Sequence, residues 1–121
     1  MSTKKNEYIL PNEKLPHWAK YPKGFITLAQ SGSVNFPPWE FLKAQDSLPL
    51  GQQLKERYDR DFFPIAWLQG TDDFACLIQG AVDKIVIVNC YTSKGREILS
   101  EYDSFWSWLR FVIDEMKNHL G

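Results

Sequence analysis

The clearest hydrophobic pattern lies at the end of the chain. Asp103 or Ser104 can cap a helix there, and the apolar residues that follow recur at intervals of three and four. These residues are Phe105, Leu109, Val112, Ile113, Met116 and Leu120. Because this spacing places them on one face of a helix, the sequence predicts a final helix that covers a core.

Three runs with strand-like composition precede this helix, namely FFPIAWLQ, DFACLIQ and DKIVIVNCY. They are rich in β-branched and aromatic residues and are separated by segments short enough to join antiparallel neighbours. KIVIVNCY is apolar almost without alternation, which is typical of a central strand covered on both faces or of a tight interface. Pro64 places the first run at an edge or at a bulge. TSKGREILSEY is compatible with another strand or with an irregular excursion.

The first half of the chain carries helical signals interrupted by turns. Residues 1–14 are polar, and we expect a flexible N-terminal segment there, ahead of a single domain over residues 15–121. Helical signals begin at Leu15-Pro16, and Pro22 suits the first position of a second helix that ends at Gly32.

Pro37-Pro38 predicts a turn that presents Trp39 and Phe41 to its surroundings. Residues 46–51 have the composition of a loop, and LKERY, which follows, predicts one or two further helical turns. The order is therefore helices, then a largely antiparallel central sheet, then a covering helix, which is an α+β fold. A chain of 121 residues has room for one such domain.

Charge and cysteine content narrow the classes of partner. The net charge of −1 gives no reason to expect a nucleic-acid or membrane partner. It divides into +2 over residues 1–50 and −3 over the remainder, a mild asymmetry. Cys76 and Cys90 lie in apolar runs, as reduced core thiols do. We find neither an apolar signal-peptide core nor a membrane-spanning run, so we expect the chain in the cytoplasm.

Catalytic and ligand-binding motifs are sparse. His17 and His119 have no Cys or Ser beside them, and the two cysteines lack the spacing of a zinc site. Neither a Walker A loop nor a dinucleotide-binding glycine motif occurs. A metal-dependent nuclease needs an acid-x-Lys alternation, whereas Asp83 and Lys84 are neighbours and would point to opposite faces. We therefore predict no catalytic residue, no metal and no cofactor.

Several segments resemble bacterial members of the SUKH superfamily, which is related to the fungal Smi–Knr cell-wall regulators. The resemblance covers roughly residues 15–118 and is carried by KYPKGFITLAQSGSVNFPPWEFL, LKERYDRDFFPIAW, TDDFACLI, KIVIVNCYTSKGRE and EYDSFWSWLRFVIDEM. The residues that match the family pattern, mostly as structural signatures, are Pro37, Trp39, Pro64, Asp72, Asp73, Phe105, Trp106 and Trp108. Ile65 departs from it, since the family often has Phe after the strand proline.

This resemblance implies an α+β fold, no enzymatic activity and, for many bacterial members, immunity against a secreted or contact-dependent toxin. We expect a protein that is monomeric when free and that binds a cognate toxin, often a nuclease, whose basic cleft would attract acidic side chains. The expected contact residues are Asp59, Asp61, Asp72, Asp73, Asp83, Glu97, Glu101 and Asp103, with Trp39 and Trp67 as apolar anchors. The alternatives are a non-catalytic scaffold of the Smi–Knr type and a small hydrolase.

Overall fold

A computed structural model describes residues 6–121 as one six-stranded antiparallel sheet with helices on both of its faces. The strands, which pair in chain order, are β1 Asn35–Phe36, β2 Trp39–Phe41, β3 Phe62–Leu68, β4 Asp73–Ile78, β5 Ala81–Asn89 and β6 Ile98–Tyr102. The helices are a 3-10 turn Asn12–Lys14, α1 Lys23–Gln30, α2 Ala44–Tyr58 and α3 Phe105–Leu120. The predicted α+β class is confirmed.

Strand β5 divides the hydrophobic core into two parts. Ile85 and Ile87 belong to the cluster that contains the buried residues of α1 and α3. Val86 and Val88 point to the other face, in the cluster with Leu54 of α2. Alternate residues of an extended strand point to opposite faces, so an uninterrupted apolar run supplies both clusters at once. The prediction that this strand is covered on both faces is confirmed.

Strand β3 accommodates its proline through a bulge. The strand pairs with β2 on one side and with β4 on the other, and its register with β4 shifts between Pro64 and Ala66. A proline has no N–H for a ladder hydrogen bond, and a bulge removes the need for one. Pro64 predicts that this strand lies at an edge of the sheet or contains a bulge. The bulge is confirmed, and the edge position is wrong.

The final helix begins as expected. The Ser104 hydroxyl accepts a hydrogen bond from the Ser107 N–H at 3.1 Å, so Ser104, not Asp103, is the cap. The predicted stripe is buried at Phe105, Leu109 and Val112 and reaches solvent at its far end. Only the first two turns of α3 therefore contribute fully to the core.

The N-terminal region differs from expectation. Residues 15–22 form no helix, and Pro22 is the cap of α1, not its first residue. Residues 6–14, expected to be flexible, contact the domain: the Asn6 amide donates to the Ala29 carbonyl at 2.9 Å, and the Leu10 N–H donates to the Tyr21 hydroxyl at 3.1 Å. Apolar side chains of this segment pack against the core, which accounts for its order. Residues 1–5 of the expected flexible segment lie outside the described residues.

Helix α2 is longer than the sequence indicates. The expected loop at residues 46–51 is wrong, because these residues lie inside α2 despite Pro49 and Gly51. A Cβ on Gly51 would lie 2.9 Å from the Phe62 carbonyl oxygen, so glycine permits the close approach of α2 to β3. Both alternatives that the sequence left open for TSKGREILSEY occur: an irregular stretch comes first, and strand β6 follows it.

Candidate protein-binding site

A groove runs between α2 and the ends of β4 and β5. Its volume is about 450 Å³. The residues that line it, called the α2 groove below, are Leu50, Gln53, Leu54, Glu56, Arg57, Asp72, Phe74, Cys90 and Tyr91. Four of the α2 residues recur at i, i+3, i+4 and i+7, which places them on one side of the helix. The groove therefore has one helical wall and one wall made of strand ends.

The sheet continues the groove toward β3. Trp67 of β3 is the register partner of Phe74 of β4, so the two side chains are neighbours on one face of the sheet. Both are partly buried, and the Trp67 indole N–H donates to the Thr71 carbonyl at 2.8 Å, which fixes the ring. An apolar floor with an oriented tryptophan at its margin is typical of a recognition surface.

An arginine and an exposed tyrosine form the other end of the groove. Tyr91 is 70% exposed, and the Arg57 guanidinium lies 5.8 Å from the centroid of its ring. Arg57 is held by hydrogen bonds from Nε and Nη2 to the Thr92 carbonyl, at 3.3 and 3.0 Å. The ring of Tyr58 is buried beside Arg57, and its hydroxyl donates a hydrogen bond to the Asn89 carbonyl at 2.7 Å. An arginine held in advance loses little entropy on binding, and an exposed tyrosine beside it supplies contact area, which together favour affinity.

Two carboxylates give the groove its charge. Over residues 6–121, neither Glu56 nor Asp72 forms an ion pair. Burial raises the pKa of the Cys90 thiol to about 11, with the charges of Asp72 and Asp73 acting in the same direction and Arg57 opposing them. The thiol is thus protonated at neutral pH and is a poor nucleophile. The groove lining carries the carboxylates of Glu56 and Asp72 against one guanidinium, that of Arg57, and this negative balance favours a positively charged partner group.

The predicted acidic residues do not form one surface. Asp72 and Asp73 lie where β3 joins β4, and Asp73 accepts a hydrogen bond from the Asn89 amide at 2.6 Å. Asp83 is six residues before Asn89 on β5, which separates it from Asp73 by roughly 20 Å at the rise of a strand. Asp59, Asp61 and Asp103 also lie at the Asp83 end of the sheet. Of the eight expected acids, only Asp72 lines the α2 groove.

Several of the remaining acids are engaged within the chain. Lys55 lies 3.7 Å from Asp59 and 3.5 Å from Asp61, and Lys84 lies 3.0 Å from Glu101. These exposed pairs contribute little stability, but they partly neutralise the charges that a partner would meet.

Two predicted contact residues belong to the core, which corrects the sequence-based expectation. Trp39 is 2% exposed and meets Trp108 edge-to-face at a centroid distance of 5.5 Å. Glu97 is also 2% exposed. Trp39 is buried because the diproline turn folds β2 back toward the core, so the turn does not present this ring to solvent. Neither side chain is available to a partner.

Glu97 serves the loop between β5 and β6. Its carboxylate accepts hydrogen bonds from the Gly95 N–H at 2.6 Å and from the Arg60 guanidinium at 3.0 Å. Burial acts to raise the pKa of this carboxyl, but backbone N–H donors and the Arg60 charge outweigh it, and the pKa is lowered below 4.5. The buried carboxylate therefore stays ionised and ties residues 95–97 to the segment after α2.

The variant Glu97→Gln tests this role through pH. We expect a loss of about 1–2 kcal/mol in the free energy of unfolding at pH 7, modest because Arg60 is partly exposed. A lowered folded-state pKa stabilises the protein above the unfolded value of 4.5, and this stabilisation is lost as the pH falls through the folded value. Urea unfolding at pH 7 and pH 3.5 measures it: the difference between wild type and variant should shrink at the lower pH. A difference that stays constant would contradict the assignment.

The groove residues that sequence reasoning missed are mainly those of α2 and Tyr91. The signal for α2 was present, since Leu50, Leu54 and Arg57 share helical spacing, but Pro49 and Gly51 disguised it. Tyr91 lies two residues after the end of β5 and carried no local sign that it would be exposed. Within residues 6–121, no group of three or more His, Cys, Asp or Glu side chains could hold a metal ion. No helix in the same range is long and apolar enough to cross a membrane.

Comparison with protein-family models, with curated proteins and with solved structures finds no match to this chain. The SUKH resemblance therefore stays a hypothesis carried by the sequence motifs. The fold and the groove are observations of the structure itself.

Proposed function

We propose that this protein, monomeric when free, is an immunity protein that binds a secreted or contact-dependent toxin and neutralises it by direct contact through the α2 groove. The observation that carries the proposal is the groove itself, in which an apolar floor adjoins an exposed tyrosine, a fixed arginine and two carboxylates that have no ion-pair partner within residues 6–121. The resemblance to SUKH immunity proteins supports the same function.

The groove offers a physical route to neutralisation. A toxin that attacks nucleic acid carries a basic cleft, and the carboxylates of Glu56 and Asp72 would steer that cleft toward the groove. Tyr91 and Trp67 would then supply apolar contact area, while the floor at Phe74 excludes water. A toxin held in this way is blocked by occupancy alone, so the mechanism requires no chemical step.

Co-expression with the neighbouring gene tests the proposal. The protein encoded immediately upstream is expressed in a sensitive host with and without this chain, and growth is measured. We expect that protein to arrest growth and this chain to restore it. We expect Tyr91→Ala to fail in rescue, while Leu99→Ala, which truncates an exposed side chain of β6 outside the groove, still rescues.

Two outcomes would contradict the proposal. One is a neighbour that arrests growth equally with and without this chain. The other is a harmless neighbour combined with binding of several unrelated proteins, which is the behaviour of a scaffold. Rescue by wild type and by both variants would instead leave toxin binding in place and remove the groove from it.

A further inference from the structure

An exposed tryptophan lies on the side of the sheet that α1 and α3 cover, opposite the α2 groove. Trp106 is 60% exposed, although its neighbours Phe105 and Trp108 in α3 are fully in the core. A tryptophan left this open keeps a large apolar area in water, and this type of residue dominates the binding energy of many interfaces. Within residues 6–121, the contacts of Trp106 leave more than half of its side chain in solvent, where a partner can reach it.

The ring of Trp106 is held in place from beneath. A Cβ on Gly24 would lie 2.8 Å from Cζ2 of Trp106, so the indole rests directly on the backbone of α1. The Phe105 ring meets it edge-to-face at a centroid distance of 5.7 Å. One face of the indole is thus seated while the rest is open to solvent, an arrangement that presents a rigid apolar anchor at low entropic cost.

A hollow lies on each side of this ring. The first, of about 350 Å³, includes Lys20, Lys23 and Val82, which is 79% exposed. The second, of about 410 Å³, runs along α3 past Leu109 and Ile113 to Lys117. Both hollows have apolar residues at the base and charged residues around them, so each is suited to an apolar side chain inside a polar rim.

The rim is predominantly basic. Lys20, Lys23, Arg110 and Lys117 line the two hollows, and within the described part of the chain none of them has an ion-pair partner. The two carboxylates that line the same hollows belong to Asp83 and Asp114. The balance is positive here and negative in the α2 groove, so the two surfaces suit partners of opposite charge.

We propose that Trp106, Val82, Lys20, Lys23, Arg110 and Lys117 form a second docking surface, the Trp106 surface, which receives an acidic segment of a partner protein carrying a large apolar residue. The apolar residue enters a hollow beside the indole, and the acidic residues pair with the cations of the rim. A polyanion such as a nucleic acid or an anionic bilayer would bring phosphates near Asp83 and Asp114, whereas a peptide can place its acids away from them. The surface lies across the sheet from the α2 groove, so both can be occupied together.

Selection from a phage-displayed random peptide library against the purified chain tests this assignment. We expect enriched peptides to combine two or more Asp or Glu with a Leu, Phe or Trp, and to bind more weakly as salt concentration rises. Synthetic copies should lose about tenfold or more in affinity for Trp106→Ala, and should lose affinity for the doubly charge-reversed Lys20→Glu, Lys23→Glu variant. The matched controls are Phe111→Ala, which truncates another exposed aromatic of α3, and Tyr91→Ala in the α2 groove, and both should bind as wild type does.

Other results would overturn the proposal. Enriched peptides that are neutral or basic, or that bind Trp106→Ala as tightly as wild type, would remove the Trp106 surface as an acidic-segment site. So would Trp106-dependent binding of a 20-mer of thymidine or of phosphatidylglycerol vesicles without any Trp106-dependent peptide. If circular dichroism shows that Trp106→Ala is unfolded, the Lys20→Glu, Lys23→Glu variant alone tests the proposal, because both lysines are exposed. The co-expression assay distinguishes this failure from failure of the α2 groove. Because Trp106→Ala leaves the groove intact, the variant should still restore growth in the presence of the toxin even if the Trp106 surface binds no acidic peptide.

Discussion

Replacing Trp108 with alanine is expected to lower the free energy of unfolding by about 3–5 kcal/mol. The side chain is fully buried between the rings of Trp39 and Phe105, at centroid distances of 5.5 and 5.6 Å. Truncation would leave a cavity at the point where α3 meets the sheet, and rings of this size cannot collapse into it. A domain with a total stability of about 5–15 kcal/mol would lose a large fraction of it.

The conservative variant Trp108→Phe separates packing from hydrogen bonding. Among residues 6–121, the Trp108 indole N–H has no hydrogen-bond partner. Phenylalanine removes that unsatisfied donor, which offsets part of the lost contact area, so we expect a cost of about 1–2 kcal/mol. Urea unfolding of both variants measures the difference, with the exposed Leu120→Ala at the end of α3 as a control expected within about 0.5 kcal/mol of wild type. Equal losses for Trp108→Ala and Trp108→Phe would contradict the packing account.

The double charge reversal Asp72→Lys, Glu56→Lys is expected to weaken binding of the proposed toxin partner roughly 100-fold, about 2.7 kcal/mol. Both carboxylates line the α2 groove, and reversing them would replace attraction of a basic cleft by repulsion. Association should slow more than dissociation accelerates, and the dependence of affinity on salt should flatten or change sign. Surface plasmon resonance at two salt concentrations measures all three quantities.

A matched pair at the other end of the sheet provides the control. Glu101→Lys with Asp103→Lys changes the net charge by the same amount at exposed positions outside the groove. We expect this control to change the association rate only slightly. An equal loss of affinity in both double variants would mean that overall charge steers the toxin and that the α2 groove is not its site.

The sheet and the last helix could be predicted because their signals are local. The runs that became β3, β4 and β5 carry strand composition over their whole length, and α3 carries both its cap and its stripe. Helix α2 could not be predicted in full, since Pro49 and Gly51 weaken the local helical preference. What holds α2 together is its packing on β3, where Gly51 lies against the Phe62 carbonyl, and such a contact between distant segments leaves no local trace.

The candidate site was only partly predictable for the same reason. Asp72 is exposed in the turn between β3 and β4, and Trp67 is partly buried near the end of β3; polar and amphipathic side chains at turns and strand ends commonly reach solvent in this way. Trp39 and Glu97 were misplaced, because their burial follows from the fold of the diproline turn and from the reach of Arg60. The pairing of Arg57 with Tyr91 joins a helix to a loop more than thirty residues later, and no spacing in the sequence indicates it.

The central claim, that this protein neutralises its partner by occupying it, is tested most directly by a stoichiometric titration. The activity of the purified toxin is measured against increasing amounts of the purified chain, at a toxin concentration well above the dissociation constant. Inhibition that rises linearly and is complete at one chain per toxin molecule is the predicted result. Complete inactivation by a small fraction of an equivalent, or full toxin activity in the presence of a large excess of the chain, would contradict it.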